Sequence, residues 1–281
     1  MRVALPRTIS DAVSALDENP RSQLLAGGTD FCVEVNYGHR RPDGVVCLRR
    51  VAELRHLDVG QEKIRIGAGT TYSEMVRRLS GVLPALAAAA RTVGSPQIRN
   101  AGTLGGNVAT ASPAGDTLPL LAALDAEVVL VSSQDRRVVP LGELITGVKT
   151  TTIGPGELVA EVVVPRIVGP QQFLKVGTRN AMVISIASAA VVVDLQARSV
   201  RCGLGSVGPV PIRARNAEEM ISDAIDWEDL SASRAEVERF GELAAEAARP
   251  ITDHRSTADY RRRAVAVIAA RAMRRSLTRV A

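Results

Sequence analysis

The chain contains little cysteine and little histidine, the side chains that most often build zinc and iron–sulphur sites. Its three cysteines, Cys32, Cys47 and Cys202, lie far apart without a CxxC pair, and its three histidines are equally scattered. Zinc sites, iron–sulphur clusters and disulfide frameworks all draw on recognisable ligand spacings. We therefore expect no metal site on this chain, and the unpaired cysteines fit a reducing cytoplasm.

Long apolar runs and the common nucleotide-binding fingerprints are also missing. No run reaches the roughly 18 apolar residues that a membrane-spanning helix needs, and the N-terminal segment MRVALPRTISDAV lacks the apolar core of an export signal. Neither GxGxxG nor GxxxxGKS/T occurs, so a Rossmann or P-loop nucleotide site loses its main support. The sequence predicts a cytoplasmic protein without a membrane span.

The formal net charge of +5 arises at one end of the chain. Residues 260–281 contain seven arginines and no acidic residue. Nucleic-acid-binding surfaces combine such charge with stacking aromatics or a known module, whereas aromatics make up only 2% of this chain. We expect the basic stretch to be a solvated or subunit-facing helix, and we predict no nucleic-acid partner.

The 281 residues, 46% of them hydrophobic, suffice for two domains with aliphatic cores. Capping signals and helical periodicity predict helices at 8–16, 71–80, 84–91, 213–223, 233–248 and 257–277, with another after Asp30. Apolar runs predict strands at 22–26, 44–48, 63–68, 126–131, 137–139, 158–164, 173–177, 184–195 and 200–205. The polar segment RIVGPQQ at 166–172 indicates a linker. This order predicts an α+β protein whose C-terminal part is a three-stranded antiparallel sheet with helices.

Two glycine pairs carry the clearest functional signal. Gly27-Gly28 follows a predicted strand and precedes a predicted helix, and Gly105-Gly106 lies in the unusual stretch SPQIRNAGTLGGN at 95–107. Glycine lets the backbone approach a ligand closely and adopt a positive φ, so that successive N–H groups converge on an anion. Two such loops could hold two phosphates from opposite sides of a groove, as a pyrophosphate-containing cofactor requires. For either pair alone, an ordinary turn is the alternative.

Several motifs together resemble one known family. Four segments resemble the FAD-binding domain of the xanthine dehydrogenase and carbon monoxide dehydrogenase flavoproteins: AGGTD at 26–30, QIRNAGTLGGN at 97–107, ASPAGD at 111–116 and LAALDAEV at 121–128. Three more resemble that molybdenum hydroxylase family's C-terminal domain: FLKVGTRNAM at 173–182, VGPVPIRARNAEE at 207–219 and DHRSTADYRRR at 253–263. The resemblance spans nearly the whole chain in order, and its two FAD-loop motifs are highly specific together.

The resemblance implies a particular domain arrangement. An FAD-binding domain of the PCMH/vanillyl-alcohol-oxidase-like type would occupy residues 1–166, with subdomains at about 1–58 and 59–166. A C-terminal domain of the CO-dehydrogenase-flavoprotein type would occupy residues 173–281. The cofactor implied is FAD.

The resemblance also implies which residues contact FAD. The first glycine loop would hold the pyrophosphate, and the second would contact it from the other subdomain. Asp116 matches an acid that binds the sugar or ribityl part, Val159 an apolar contact, and Lys175 a basic residue near the flavin ring. The implied FAD-binding set, which includes no catalytic residue and no metal ligand, is Leu25, Ala26, Gly27, Gly28, Thr29, Asp30, Phe31, Thr103, Leu104, Gly105, Gly106, Asn107, Asp116, Val159 and Lys175.

The chemistry of two of these side chains suits such roles. Asp116 offers two acceptors for hydroxyls, although an acid that caps a turn is the alternative. Lys175 could stabilise negative charge on the pyrimidine edge of a reduced flavin, and an ordinary solvated lysine is the alternative. The chain has 32 arginines and only 3 lysines, which favours a role for Lys175 that Arg does not fill. Where some relatives place an aromatic against the flavin, this chain has Met182 and Val183.

The function implied by the resemblance is that of an electron-transfer subunit. It would take electrons from a small iron–sulphur subunit, which itself works beside a molybdenum-cofactor large subunit, and pass them to an acceptor such as NAD, oxygen or a quinone. Two alternatives stay open from the sequence. One is a stand-alone FAD-dependent oxidoreductase on the same fold, and the other is a non-enzymatic interaction module.

Overall fold

Three parallel strands form the first sheet. The computed structural model, which describes residues 2–280, arranges them in the order β1-β3-β2, with bounds β1 (Arg2–Ala4), β2 (Ser22–Leu25) and β3 (Gly44–Cys47). Helix α1 (Ile9–Glu18) follows β1 and is opened by a capping box at Thr8. Helix α2 (Phe31–Asn36) follows β2 and buries none of its side chains. The predicted βα unit is therefore present, with α2 only weakly packed.

A five-stranded antiparallel sheet follows, after two short 3-10 helices at Leu48–Arg50 and Ala52–Arg55. Its strands are β4 (Leu57–Val59), β5 (Lys63–Gly67), β6 (Glu127–Val131), β7 (Arg136–Pro140) and, after the hairpin β8 (Ile145–Gly147) and β9 (Thr150–Thr151), β10 (Leu158–Pro165). They lie in the order β4-β5-β10-β6-β7. The helices of this part are α3 (Tyr72–Arg78), α4 (Pro84–Thr92), α5 (Pro96–Ala101), α6 (Leu104–Thr110), α7 (Leu118–Ala123) and α8 (Leu141–Leu144). Of these, only α3 and α4 had a periodic or capping signal long enough to predict from sequence.

The C-terminal sheet has four antiparallel strands rather than the predicted three. In spatial order they are β11 (Gln171–Val176), β12 (Ala187–Asp194), β13 (Ser199–Gly205) and β14 (Ile212–Arg213). The fourth was missed because two residues are too few for an alternating pattern. Helices α9 (Arg215–Ala224), α10 (Arg234–Ala247) and α11 (Ala258–Ser276) follow, with a short parallel pair β15 (Ser231–Ala232) and β16 (Arg279–Val280).

The predicted linker at 166–172 is shorter in the structure. Gln171 and Gln172 already belong to β11, where they pair with Val192 and Val191 of β12. Ile167 is buried in the first core. The connection between the sheets is therefore short and is held at Ile167, whereas Arg166 and Val168 are exposed.

Strand β12 contributes to both hydrophobic cores. Its residues Ala190 and Val192 belong to the core that includes the five-stranded sheet, whereas Ala189, Val191 and Val193 belong to the core formed with α9, α10 and α11. Successive side chains of a strand point to opposite faces. Because one strand supplies both cores, the two halves of the chain share a continuous packed interior. No helix among residues 2–280 has the length and apolarity needed to cross a membrane.

The contact between α7 and strand β13 brings the backbones of the two halves together. A Cβ atom added at Gly203 would lie 1.8 Å from the carbonyl oxygen of Pro119. Beside this contact, Arg213 donates to the Ala122 carbonyl and to Asp125 at 3.2 and 2.6 Å. The approach of β13 to α7 therefore requires a residue without a side chain at position 203.

We expect Gly203→Ala to lower the free energy of unfolding by about 1–3 kcal/mol or more, the usual cost of overpacking. Gly142→Ala is the matched control, because a Cβ there would have no neighbour within 4 Å. Urea denaturation of both variants measures the difference. Equal midpoints for the two variants would contradict the close α7–β13 contact.

Candidate cofactor-binding site

The first glycine turn presents backbone N–H groups that the protein itself does not use. It runs from the end of β2 to the start of α2, and Gly28 has a φ of +75° there. Within residues 2–280, no protein group accepts a hydrogen bond from the backbone amides of residues 27–30. These residues are half-buried or exposed. Successive free amides in a turn with a positive φ are the arrangement that can bind an anion.

The second predicted segment touches this turn. A Cβ atom added at Gly27 would lie 2.0 Å from the carbonyl oxygen of Ala101 and 2.9 Å from Cα of Gly102. Gly27 therefore allows the first turn to rest directly on the backbone that connects α5 to α6. The first segment follows strand β2, the second connects helices α5 and α6, and the two meet at this point.

The second glycine pair differs from the predicted loop. Gly105 and Gly106 lie in the first turn of α6, whose N-cap Thr103 accepts from the Gly106 amide at 3.1 Å. The amides of Leu104 and Gly105 donate to the carbonyls of Thr70 and Ala68 at 3.0 and 2.8 Å. A Cβ at Gly105 would lie 2.5 Å from the Ala68 side chain. The pair therefore serves close packing, and its amides are not free for a phosphate.

The second segment offers side chains instead. The Thr103 hydroxyl retains its own proton to donate while it caps α6. Asn107 accepts from the Thr117 hydroxyl at 2.5 Å, which leaves its amide nitrogen as a donor. A Cβ at Gly115 would lie 2.9 Å from this nitrogen. Asn107 thus connects the second segment to the ASPAGD segment, which ends at Asp116.

Asp116 and Lys175 form a buried ion pair. Lys175 Nζ lies 2.5 Å from Asp116 Oδ2, and the two side chains are 7% and 5% exposed. Nζ also donates to the Thr92 carbonyl at 3.3 Å, and the Thr92 hydroxyl lies 3.1 Å from the same Oδ2. The alternatives of a solvated lysine and a simple turn cap are therefore wrong. Thr92 is a site residue that the sequence analysis missed, because the last residue of an alanine-rich helix shows no local signal.

The other carboxylate oxygen has no partner. Asp116 Oδ1 is buried and makes no hydrogen bond within residues 2–280. Burial raises the pKa of Asp116 above its ordinary value, and the Lys175 ammonium and the hydrogen bonds from Lys175 and Thr92 oppose that rise. Buried polar atoms in proteins are normally hydrogen-bonded. A ligand hydroxyl that donates to Oδ1 would satisfy this atom.

The apolar members of the predicted set fall into two groups. Leu104 is fully buried and Val159 is 7% exposed, and both belong to the first core. The side chain of Leu104 therefore faces protein and can contribute only backbone to a ligand. Leu25, Ala26 and Phe31 are half-buried beside the free amides, and the Arg40 guanidinium lies 5.2 Å from the Phe31 ring centroid.

Arg99 and Asn100 position the second segment. Arg99 donates to the carbonyls of Val93 and Gly94 at 3.0 and 2.8 Å, at the C-terminal end of α4. Asn100 accepts from the Ser73 hydroxyl at 2.6 Å. Both side chains hold α5 against its neighbours.

At the position where some relatives have an aromatic, Met182 is exposed and has a φ of +49°. The Arg179 side chain donates to the carbonyls of Ala181 and Met182 and so fixes this turn.

No cluster of three or more potential metal ligands occurs between residues 2 and 280. The described chain thus offers one site that combines free amides, a buried acceptor and hydroxyl and amide donors.

This combination suits a dinucleotide: the amides fit a diphosphate, and the orphaned carboxylate oxygen fits sugar or ribityl hydroxyls. A family model for the FAD-binding domain in molybdopterin dehydrogenase matches residues 1–167, and a model for the CO dehydrogenase flavoprotein C-terminal domain matches residues 172–276. The chain belongs to this family of FAD-binding subunits, and FAD is its cofactor. The resemblance seen in the sequence motifs is confirmed.

Relatives with known roles agree with this assignment. The chain is 32% identical to the nicotinate dehydrogenase FAD-subunit of Eubacterium barkeri over 232 residues, 78% of each protein. It is 28% identical to the glyceraldehyde dehydrogenase medium chain of Sulfolobus acidocaldarius over 95% of each protein. Reconstituted CO dehydrogenase from Oligotropha carboxidovorans contains a chain with a TM-score of 0.88 and 27% identity, covering 98% of this chain and 97% of that one. The chain is accordingly a flavoprotein subunit of the oxidoreductase class.

We expect Lys175→Met to destabilise the protein by about 3–5 kcal/mol, because it leaves the Asp116 carboxylate buried without its cation. The double variant Asp116→Asn/Lys175→Met should be less destabilised than Lys175→Met alone. Because the pKa of Asp116 is already raised and loses its opposing cation, the deficit of Lys175→Met should shrink as the pH falls and the carboxyl protonates. Urea denaturation across pH measures this; a pH-independent deficit would contradict it.

Proposed function

We propose that this chain binds FAD between its two glycine segments and transfers electrons within a molybdenum hydroxylase-type complex. The proposal has two parts: the residues that hold the cofactor, and the route of the electrons. The first part rests on the site geometry. The second rests on the family and on the absence of a metal-ligand cluster between residues 2 and 280.

The single observation that carries the first part is the run of free amides at Gly27 to Asp30. These amides are only half-buried or exposed, so that a ligand as well as water can accept their hydrogen bonds. A diphosphate supplies several acceptor oxygens and a charge that these dipoles favour. We assign Leu25, Ala26 and Thr29 to the same turn as backbone contacts, with Phe31 at its end.

The second segment closes the groove from the other side. Thr103 and Asn107 reach the cofactor through their side chains, while Leu104, Gly105 and Gly106 shape the backbone. Asp116 accepts from sugar or ribityl hydroxyls through Oδ1, the atom that has no protein partner. Val159 supplies apolar contact beside this region.

Lys175 lies next to Asp116 and its charge is balanced by it. We propose that Lys175 lies near the flavin ring, where its ammonium stabilises negative charge. FAD, when bound, accepts electrons singly and releases them as a pair, which suits a junction between metal centres and a two-electron acceptor. Lys175 would tune this chemistry less than an uncompensated cation, because Asp116 neutralises part of its field.

We propose that the electrons come from iron–sulphur clusters on a small partner subunit, beside a molybdenum-cofactor large subunit. They would leave to an external acceptor such as NAD, oxygen or a quinone, in the cytoplasm. The absence of a metal-ligand cluster between residues 2 and 280 supports placing the metal centres on other chains.

We expect Gly28→Ala to weaken FAD binding by about ten-fold or more, the loss for disturbed hydrogen bonds to a charged group. Its methyl group would lie 3.2 Å from Cys32 Sγ and 3.3 Å from Leu25 Cδ1, and its φ of +75° is unfavourable for alanine. Gly38→Ala is the matched control, because Gly38 has a φ of +73° and no neighbour within 4 Å. Equal FAD affinity of the two variants by fluorescence titration would refute the amide site.

The partner assignment predicts copurification. A tagged chain isolated from its native source should bring with it two further subunits, together with molybdenum and iron in the preparation. The purified chain alone should bind FAD without turning over an organic substrate. Robust substrate oxidation by the isolated chain would favour the stand-alone oxidoreductase, and a colourless chain that takes up no added FAD would favour the interaction module.

A further inference from the structure

Tyr72 is held between the segments of the candidate site, although no sequence motif marked it as a ligand. It is the first residue of α3, directly after the N-cap Thr71. Its backbone amide donates to the Gly102 carbonyl at 3.1 Å. A Cβ at Gly102 would lie 2.7 Å from Cε2 of the Tyr72 ring. The ring therefore lies flush against the backbone that also touches Gly27.

The hydroxyl of Tyr72 has no protein partner. The residue is only 5% exposed, yet no group among residues 2–280 makes a hydrogen bond with its hydroxyl. Unlike Asp116 Oδ1, the hydroxyl oxygen is not among the fully buried polar atoms that lack a partner, so a water molecule or a ligand can reach it. The hydroxyl of a largely buried tyrosine usually has a hydrogen-bond partner. Because no protein group among residues 2–280 provides one, the hydroxyl is available to a ligand.

Burial and two carboxylates both favour the protonated form of this hydroxyl. Burial raises the pKa of Tyr72, and the carboxylates of Asp30 and Asp116 raise it further. Asp30 ends the turn of free amides, and Asp116 carries the unpaired Oδ1. Tyr72 therefore stays protonated at physiological pH and is available as a hydrogen-bond donor beside the Gly102 backbone.

We propose that Tyr72 is a further FAD-binding residue, which donates its phenolic hydrogen to a diphosphate oxygen in the groove between the Gly27–Asp30 turn and Asp116. The inference rests on the proposed cofactor site. An ionised diphosphate can only accept hydrogen bonds. Because it is negatively charged and the carboxylates of Asp30 and Asp116 belong to the same site, its binding there depends on hydrogen-bond donors. The hydroxyl would add a side-chain donor to the row of backbone amides.

The test is Tyr72→Phe, which keeps the ring against Gly102 and removes only the oxygen. FAD affinity, measured by fluorescence titration of the full chain, should fall roughly ten-fold or more, as for a hydrogen bond to a charged acceptor. Tyr37→Phe is the matched control, since Tyr37 is 75% exposed; its FAD affinity should equal that of the wild type. The unfolding midpoint of Tyr72→Phe without FAD should stay close to that of Tyr37→Phe.

A second measurement tests directly whether the Tyr72 hydroxyl contacts the diphosphate, even where the FAD affinity of Tyr72→Phe changes because of an altered fold. With saturating FAD, the phosphorus resonances of the bound diphosphate should shift between wild type and Tyr72→Phe, while the flavin absorbance spectrum stays the same. Unchanged phosphorus resonances, or unchanged FAD affinity, would overturn the assignment of Tyr72. A wild-type chain that binds no FAD would instead overturn the proposed function itself.

Discussion

The carboxylate of Asp116 and the ammonium of Lys175 meet at 2.5 Å with almost no exposure to solvent. Removing either charge alone leaves the other buried and unpaired, which is costly, so the pair constrains both of its elements. Asp116 belongs to the segment after α6, and Lys175 belongs to β11 of the C-terminal sheet. The FAD-binding half and the C-terminal half are therefore joined by charge at the candidate site, as they are by packing along β12.

The same pair shapes the chemistry available there. Lys175 and Thr92 both approach Oδ2, and Oδ1 is left with no protein donor. Oδ2 of Asp116 bonds to Lys175 and Thr92 and so joins the two halves of the chain, whereas Oδ1 is available to a ligand hydroxyl. One residue can therefore serve the contact between the two halves and still offer an acceptor to a ligand. It also means that the positive charge of Lys175 is partly neutralised before any flavin is reduced.

The two glycine pairs show how similar sequence features acquire different roles. Gly27 and Gly28 produce a turn whose amides are free, with one positive φ and one close backbone contact. Gly105 and Gly106 begin a short helix, and the Leu104, Gly105 and Gly106 amides are taken up by Thr70, Ala68 and Thr103. Only the first pair presents backbone amides that have no protein acceptor among residues 2–280. The second lets α6 approach the strand end near Ala68, and thereby places Thr103 and Asn107.

The sequence by itself determined the α+β order, the helices with capping boxes, the longer strands, the first glycine turn and the family. These features depend on residues close together in the chain, such as Thr8 with Asp11, or on motifs long enough to be specific. Only the tertiary structure decided which amides lack an acceptor, that Asp116 meets Lys175 across 59 positions, that Thr92 contacts both of them, and that the Tyr72 ring lies against Gly102. It also revealed the short helices from Pro96 to Ala123 and the two-residue strand β14. Hydrogen-bond satisfaction and burial are set by contacts between distant segments, and no local pattern encodes them.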